Sequence, residues 1–242
     1  MDQCKFKQQL TLNLLLKDYA TFSNFVIGDN ANIVKILIDF RLNSGGEILY
    51  LYGGSGSGKS HLLNAMCQDF DTHAKKPIYF SFEDGIKYSP TIIDNFSCFD
   101  LICLDDVDLI CGNLPWEEQL FHCLNQVVIK KKKIVFTAKT TPQLLPLALP
   151  DLKSRLLGGG LIFGLKQLDD EGKRLALKLR AEFRGLKLDD SGINFLMNRY
   201  NRHSKSLFAL LSTLDKASLI AKKKLTIPFI KQVLDQVLDD VI

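Results

Sequence analysis

The chain lacks the features of a membrane or secreted protein. None of its apolar runs reaches the roughly 18 residues that a membrane-spanning helix needs. The N-terminal segment places Lys5 and Lys7 ahead of only a short mixed stretch, so the layout of a secretory signal peptide is missing. The sequence therefore predicts a cytoplasmic protein with no membrane partner.

A strong charge imbalance and metal-binding spacings are also missing. The net charge of +4 is too small to indicate nucleic-acid binding, so we expect no strong direct binding of DNA. The basic runs 130–133 and 222–224 lie where helices should end. Positive charges are favourable there because they interact with the helix dipole. The six cysteines include no Cys-x-x-Cys pair, and the four histidines show no zinc-like spacing. Reduced cysteines and no structural metal are expected.

One motif predicts a site for phosphate groups. Gly53, Gly58, Lys59 and Ser60 fit the pattern G-x-x-x-x-G-K-[ST], directly after the apolar run 48–52 and before a helix-like stretch. Glycines let the backbone N–H groups point inward, and the helix N-terminus adds about half a positive charge. Lys59 would neutralise the β and γ phosphates, and the Ser60 hydroxyl would bind Mg²⁺. The alternative is a chance glycine-rich turn, which the flanking strand and helix argue against.

A second motif supplies carboxylates. The apolar run 101–104 ends in Asp105 and Asp106, which is a Walker B pattern. A carboxylate at a strand tip beside the phosphate turn can hold Mg²⁺, usually through water. We expect Asp105 to do so and Asp106 to orient the attacking water. Two aspartates also occur at ordinary strand ends, and only their combination with the phosphate turn favours a nucleotide site.

The hydrophobic pattern predicts an α/β fold with a helical addition. Short apolar runs without polar alternation indicate strands buried on both faces of a five-stranded parallel sheet, at 48–52, 77–82, 99–104, 134–137 and 161–165. Helical patterns between these runs predict a three-layer α/β domain over 21–165, behind a flexible tail of residues 1–20. From residue 166 to 242 only amphipathic helices follow, which predicts a small all-α lid.

The first lid helix has clear boundaries in the sequence. Acidic residues at 169–171 are typical of a helix start, and Gly185 is typical of a helix end. Leu175, Leu179 and Phe183 share one apolar face between these ends. We therefore expect an amphipathic helix with this stripe.

The motifs resemble a known family. An α/β ATPase core with a helical lid is similar to the AAA+ class, and the phosphate turn at 52–63 resembles that of the DnaA family. Residues 25–30 resemble the segment that lines the adenine pocket there, and 149–156 resemble the box that carries the arginine finger, here Arg155. The resemblance implies ADP or ATP with Mg²⁺. The implied cofactor-binding residues are Gly53, Gly54, Ser55, Gly56, Ser57, Gly58, Lys59, Ser60, His61, Val26, Ile27 and Lys205.

Within that family the chain resembles the Hda-type regulators. Its lid ends in a similar segment, 225–229, and no helix-turn-helix DNA-binding domain follows before residue 242. The resemblance also implies an N-terminal peptide for the sliding clamp, the β subunit of DNA polymerase III. By composition alone the same segment could be an amphipathic first strand on the core. The peptide residues are Gln9, Leu10, Thr11, Leu12, Asn13 and Leu14.

The resemblance implies a negative regulator of replication initiation at the replisome. Anchored to the clamp, it would present Arg155 in trans to ATP on DnaA and stimulate its hydrolysis. From spacing alone, a surface salt bridge between Arg155 and Asp151 is the commoner outcome. Lys139 stands where the family has the sensor 1 aspartate, and Lys205 where it has the sensor 2 arginine, which implies weak or no turnover of its own.

Two other functions fit the same motifs. One is a DNA-binding AAA+ protein such as a helicase loader or a transposition helper. The other is a non-catalytic adaptor for DnaA and the clamp, in which the bound nucleotide is only structural. The sequence leaves the resting nucleotide and self-association into a homo-oligomer open.

Overall fold

The computed structural model describes residues 20–42, 48–200 and 202–239. These residues form two compact units, and the chain passes between them several times. The first unit contains residues 20–23, 30–42, 48–54 and 58–166, and the second contains 24–29, 55–57, 167–200 and 202–239. Among these residues no helix combines the length and the apolar character that crossing a membrane requires.

The first unit is built on a parallel sheet of five strands in the order β2-β3-β4-β1-β5. The strands are β1 (Ile48–Tyr52), β2 (Pro77–Ser81), β3 (Leu101–Asp105), β4 (Lys133–Ala138) and β5 (Gly160–Gly164). Every residue of β3 and β4 is buried, because helices cover both faces of a parallel sheet. The predicted three-layer core is confirmed, and the carboxyl ends of β1, β3 and β4 share one edge.

Strand boundaries differ from the prediction by one or two residues. The run predicted to end at Phe82 ends at Ser81, where a short helix begins. The reason lies in packing, because the Phe82 ring meets Phe80 edge-on at 5.2 Å and Trp116 at 5.5 Å. In the short helix the Phe82 ring is fully buried in this aromatic cluster.

Five α-helices accompany the sheet in the described part of the first unit. They are α1 (Ala31–Asp39), α2 (Lys59–Thr72), α3 (Phe82–Gly85), α4 (Leu114–Ile129) and α5 (Pro150–Gly158). Pro115 lies in the first turn of α4, where a missing N–H costs nothing. The helix-like stretch predicted after the phosphate turn corresponds to α2. Cys67 and Cys103 are buried in this unit as free cysteines.

The second unit contains four helices around a leucine-rich core. They are α6 (Asp170–Phe183), α7 (Asp190–Arg199), α8 (Ser204–Ala221) and α9 (Ile227–Asp239). The Asp169 side chain accepts from Gly172 N at 2.7 Å, and Asp189 accepts from Gly192 N at 2.8 Å. These N-caps satisfy amides that a helix start leaves open. Gly185, at φ +68°, follows α6 in the left-handed conformation that ends many helices, as expected.

The buried face of α6 is not the predicted one. Leu175 and Phe183 are 48% and 54% exposed, whereas Leu177 and Ala181 are buried. Two residues correspond to about 200° around a helix, so the buried pair lies nearly opposite Leu175. Arg184 explains the choice, because its guanidinium donates to Asp215 at 3.2 Å and thereby holds this side of α6 against α8. The expectation from the leucine spacing was wrong in this respect.

Candidate functional site

The phosphate turn joins β1 to α2 at the carboxyl edge of the sheet. Gly53 N donates to Ala138 O at 3.2 Å, which fixes the start of the turn beside β4. Gly56 and Gly58 have φ values of +78° and +97°, a region that L side chains rarely adopt. Gly58 is the N-cap of α2, so the first open amides of that helix face out of the turn. The local sequence thus builds an anion-binding helix start.

Lys59 is buried within this turn. Its side chain is 7% exposed, and Nζ donates to Gly53 O at 2.7 Å and to Gly54 O at 3.3 Å. Burial lowers the pKa of Lys59, while Asp106 and then Asp105 act in the opposite direction. The ammonium therefore lies where a desolvated positive charge faces two carboxylates and the carbonyls of the turn.

Ser57 is the turn residue with an unsatisfied polar atom. Its Oγ is buried and has no hydrogen-bond partner within the described part of the chain. A buried hydroxyl without a partner costs free energy in proteins, and a bound ligand, ion or water is one way to satisfy it. A phosphate oxygen would supply the missing acceptor, so the turn fits a nucleoside polyphosphate.

Asp105 is held at the tip of β3 from both sides. It is 1% exposed, and the Tyr79 hydroxyl donates to Oδ2 at 2.7 Å, while the Thr137 hydroxyl donates to Oδ1. Burial, and then the charge and hydrogen bond of Asp105, raise the pKa of the Tyr79 phenol far above its usual value. Two donors leave about half of the lone pairs of a carboxylate available for a hydrated Mg²⁺. The sequence analysis missed both Tyr79 and Thr137.

Asp106 adopts a left-handed backbone, with φ +58°, directly after β3. Its amide donates to Thr137 Oγ1 at 2.9 Å, so one threonine touches both aspartates. Burial, followed by repulsion from Asp105, raises the pKa of Asp106 to about 6, although Lys59 opposes the rise. A carboxyl group with a pKa raised in this way beside a phosphate turn is typical of functional sites.

The pKa of Asp106 gives a test by stability. Because folding raises this pKa from 3.8 to about 6, the ionised form is disfavoured in the fold, and the charge costs stability above pH 6. That cost shrinks as the pH falls through 6 and is gone below 3.8. We expect Asp106→Asn to raise Tm by about 2–6 °C at pH 7.5, with a smaller gain at pH 5.

Thermal unfolding between pH 5 and pH 8 checks this expectation. The matched control is Asp84→Asn, which removes an exposed aspartate of α3 and should leave Tm unchanged at every pH. An equal gain for both variants, or a gain for Asp106→Asn that does not shrink toward pH 5, would contradict it.

Lys139, at the predicted sensor 1 position, pairs with a third aspartate. Its amide donates to Asp108 Oδ1 at 3.2 Å, and its Nζ lies 3.5 Å from Asp108 Oδ2. The ammonium of Lys139 also contributes to the lowered pKa of Lys59. The position therefore brings a positive charge, as the sequence indicated, where the resembled family has an aspartate.

The donor set suits Mg²⁺ as well as phosphate. Ser60, the second residue of α2, supplies a hydroxyl, and Asp105 at the end of β3 and Asp106 directly after it supply carboxylate oxygens. Hard oxygen donors of this kind are what Mg²⁺ prefers, with water completing its shell. When bound, the ion would neutralise phosphate charge. No metal-ligand cluster of three or more His, Cys, Asp or Glu exists in the part of the chain that the structure describes.

The remaining predicted cofactor residues belong to the second unit. Val26 is partly buried and Ile27 is 42% exposed. The tip of the phosphate turn, 55–57, also groups with this unit, and Gln167 Nε2 donates to Ser55 O at 3.0 Å. A Cβ added to Gly56 would lie 3.1 Å from the amide of Lys205, at the start of α8. Their roles with a nucleotide stay predictions.

Arg155 is exposed on α5. Among the described residues no carboxylate forms an ion pair with its guanidinium, so the salt bridge to Asp151 that spacing allows does not form. Leu152 and Leu156, on either side of it, are buried and hold α5 against the core. The arginine is thus presented to solvent by a firmly packed helix.

The predicted clamp peptide, residues 9–14, lies outside the described residues. His61, in contrast, is well placed in the first unit, where its Nε2 lies 2.9 Å from Thr21 O. This contact holds the chain that leads out of the N-terminal segment beside α2. Whether residues 9–14 bind a clamp stays a prediction.

Two known family models match this chain, each over a different part of it. The family model described as the bacterial DnaA ATPase domain matches residues 16–163, and the model described as the Hda lid domain matches residues 170–234. Together they cover both parts that the sequence pattern separated.

Solved structures with the same fold include three from two organisms. Domain III of the replication initiation protein DnaA from Thermotoga maritima has a TM-score of 0.76 at 23% identity, over 91% of this chain and 97% of that one. AMPPCP-bound DnaA from Aquifex aeolicus has a TM-score of 0.66 at 23% identity, over 84% and 67%. The RuvB Holliday junction branch migration motor of Thermotoga maritima has a TM-score of 0.58 at 15% identity, over 85% and 68%. At these identities the likeness shows the fold alone.

Proposed function

The chain belongs to the bacterial DnaA ATPase-domain family and carries an Hda-type lid, and from this premise we propose that it inactivates DnaA. In this proposal it binds ADP or ATP with Mg²⁺ at the phosphate turn and binds the sliding clamp on DNA through residues 9–14. It then presents Arg155 to ATP held by DnaA. Hydrolysis to the ADP form would end re-initiation behind the replication fork.

The observation that carries the proposal is the exposed guanidinium of Arg155. An arginine that stabilises the fold would pair with a neighbouring carboxylate or bury its stem. Arg155 has no such ion pair among the described residues, yet buried leucines hold its helix in place. A rigidly presented, unengaged arginine fits an arginine finger for a phosphate on another molecule.

The chemistry of such a finger is electrostatic. A guanidinium beside a transferring phosphoryl group stabilises the charge that spreads over its oxygens, which can raise the rate by about 10³ to 10⁵. Arg155 would supply this charge, and DnaA would supply the nucleotide and the water. At the chain's own site we propose weak or no turnover, because Lys139, paired with Asp108, stands where the family has an aspartate.

Direct DNA binding, as in a helicase loader, receives less support. Lysines of the run 130–133 already have partners within the fold. Lys132 Nζ donates to Asp100 at 2.7 Å, Lys130 Nζ donates to Ser97 Oγ at 2.9 Å, and Lys133 Nζ donates to Phe40 O. Phosphate binding would have to displace these contacts, so the run makes a poor electrostatic footprint for DNA.

A reconstituted assay tests the proposal. DnaA loaded with ATP is mixed with the protein and clamp-loaded DNA, and phosphate release is followed. Stimulation that needs both the protein and the loaded clamp is expected. Equal stimulation by the clamp alone, or none with all components present, contradicts it. A gel shift with DNA alone then separates the DNA-binding alternative, which predicts affinity with a steep salt dependence.

The clamp contact gives a further prediction. Replacing Gln9 by alanine should reduce stimulation on loaded clamps by about 100-fold at limiting protein, because tethering raises the effective concentration. The neighbouring Gln8→Ala is a matched control that should keep full stimulation. Titrations of each variant with loaded clamps provide the measurement. A Gln9 variant as active as the Gln8 variant would leave the clamp peptide without support.

A further inference from the structure

Glu117 is a fully buried carboxylate in the first turn of α4. It is 0% exposed, and it accepts three backbone amides. Gly112 N donates to Oε1 at 2.6 Å, Ala148 N donates to Oε1 at 3.1 Å, and Leu149 N donates to Oε2 at 2.7 Å. A buried charge is tolerated only when such donors satisfy it, so these contacts fix both segments firmly.

One of the two segments leads from the carboxylates of the phosphate site. A short 3-10 turn, Val107–Ile110, follows Asp106, and Leu109 N donates to Asp106 O at 3.0 Å. Asn113 N then donates to Ile110 O at 3.0 Å. Together with the bond from Cys111 N to Asp108 O at 3.4 Å, these turn hydrogen bonds connect the backbone from Asp106 to Asn113. A displacement of Asp106 would move Gly112 as well.

The other segment carries the exposed arginine. Leu149 is the N-cap of α5, and Pro150 is its first residue. The loop before α5 is tied to the helix, because Lys153 Nζ in α5 donates to Leu145 O in that loop at 3.2 Å. The Glu117 contacts to the Ala148 and Leu149 amides thus set where α5 begins and, through it, where Arg155 lies.

We propose that Glu117 is a positioning residue that couples the Asp106 turn of the chain's own phosphate site to α5 and so controls the presentation of Arg155. The proposal deepens the proposed function and rests on it for the role of Arg155. Its physical basis is a single carboxylate shared by two loops, so that a movement of one loop changes the hydrogen bonds of the other. Nucleotide at the chain's own site would then tune its action on a partner.

The test uses Glu117→Gln with Glu118→Gln as matched control. The first variant keeps the size but turns an acceptor into an NH₂ group that faces a backbone N–H donor. The second removes the same charge from the exposed neighbouring position. Amide hydrogen exchange of Gly112, Ala148 and Leu149 is measured with and without ADP and Mg²⁺ on the full chain. Stimulation of DnaA-bound ATP hydrolysis is measured in parallel, each variant also in an Arg155→Ala background.

We expect nucleotide to slow exchange at Ala148 and Leu149 in the wild type and in Glu118→Gln but not in Glu117→Gln. Stimulation should fall about 10-fold in Glu117→Gln, with no further fall when Arg155 is already alanine, because non-additivity marks two residues that act through one path. Nucleotide affinity should stay within about twofold, which a general loss of folding would not allow.

Two results would overturn the coupling. In the first, amide exchange at Ala148 and Leu149 of the wild type is the same with and without nucleotide. This result needs only the wild type, so it tests the coupling even if Glu117→Gln fails to fold. The other is a Glu117→Gln protein with unchanged stimulation or with a loss that adds to that of Arg155→Ala. If the wild type itself fails to stimulate DnaA, the proposed function fails, while the exchange data still report separately on Glu117.

Discussion

Replacing Arg155 by alanine is expected to lower the stimulated hydrolysis of DnaA-bound ATP by about 10³-fold. The reason is that no other charged group on α5 can take over its position. Asp151 has the wrong sign, and Lys153 is held by its hydrogen bond to Leu145 O. Nucleotide binding and clamp binding should be unchanged, because Arg155 is exposed and forms no ion pair among the described residues.

Two further variants make this result specific. Arg155→Lys keeps the charge but loses the planar fork, so it should recover only a small part of the activity. Arg174→Ala removes another exposed arginine, on α6, and should retain full stimulation. Single-turnover phosphate release with DnaA in excess measures all three. Wild-type rates for Arg155→Ala would favour the adaptor, in which the output is scaffolding and not hydrolysis.

Lys59→Met is expected to lower the affinity for adenine nucleotides by at least about 100-fold, or about 2.8 kcal/mol at 1.4 kcal/mol per tenfold change. Methionine has a similar length, so the change removes the ammonium with little change in packing. The loss includes the direct contact to phosphate. In the wild type, the buried Lys59 faces Asp105 and Asp106. Without its ammonium the negative charge of these two aspartates is uncompensated and repels phosphate.

Titration calorimetry with ADP and Mg²⁺ measures this affinity. Lys75→Met, an exposed lysine beyond the end of α2, is the matched control and should bind like the wild type. Since Lys59 opposes the rise of the Asp106 pKa, its loss should move that pKa further above 6. Binding by Lys59→Met within threefold of the wild type would remove the phosphate turn from the proposed function.

Features with a local cause were predicted well. The phosphate turn follows from glycines whose positive φ values only that residue adopts without strain, and these were found at Gly56 and Gly58. The start of α6 follows from the Asp169 cap, and its end follows from Gly185. The five strands follow from apolar runs that a parallel sheet buries on both sides. All of these depend on neighbours within a few residues.

Features with a distant cause were missed. Tyr79 and Thr137 lie 26 and 32 residues from Asp105 along the chain, and only the strand order brings them to its carboxylate. Glu117 gave no signal either, because an acidic residue in the first turn of a helix is ordinary. Its partners at Ala148 and Leu149 become neighbours only when α4 and α5 pack together.

The sequence by itself determined the kind of site, since spacing and backbone preference at 53–60 specify a phosphate turn in any context that supplies a strand and a helix. Tertiary structure alone decided the charge balance of that site. Burial, together with Lys59, Asp105 and Asp108, sets the pKa of Asp106, and the packing of α5 leaves Arg155 exposed. The physical reason is that electrostatic energies depend on desolvation and distance between charges, which the order of residues along a chain does not contain.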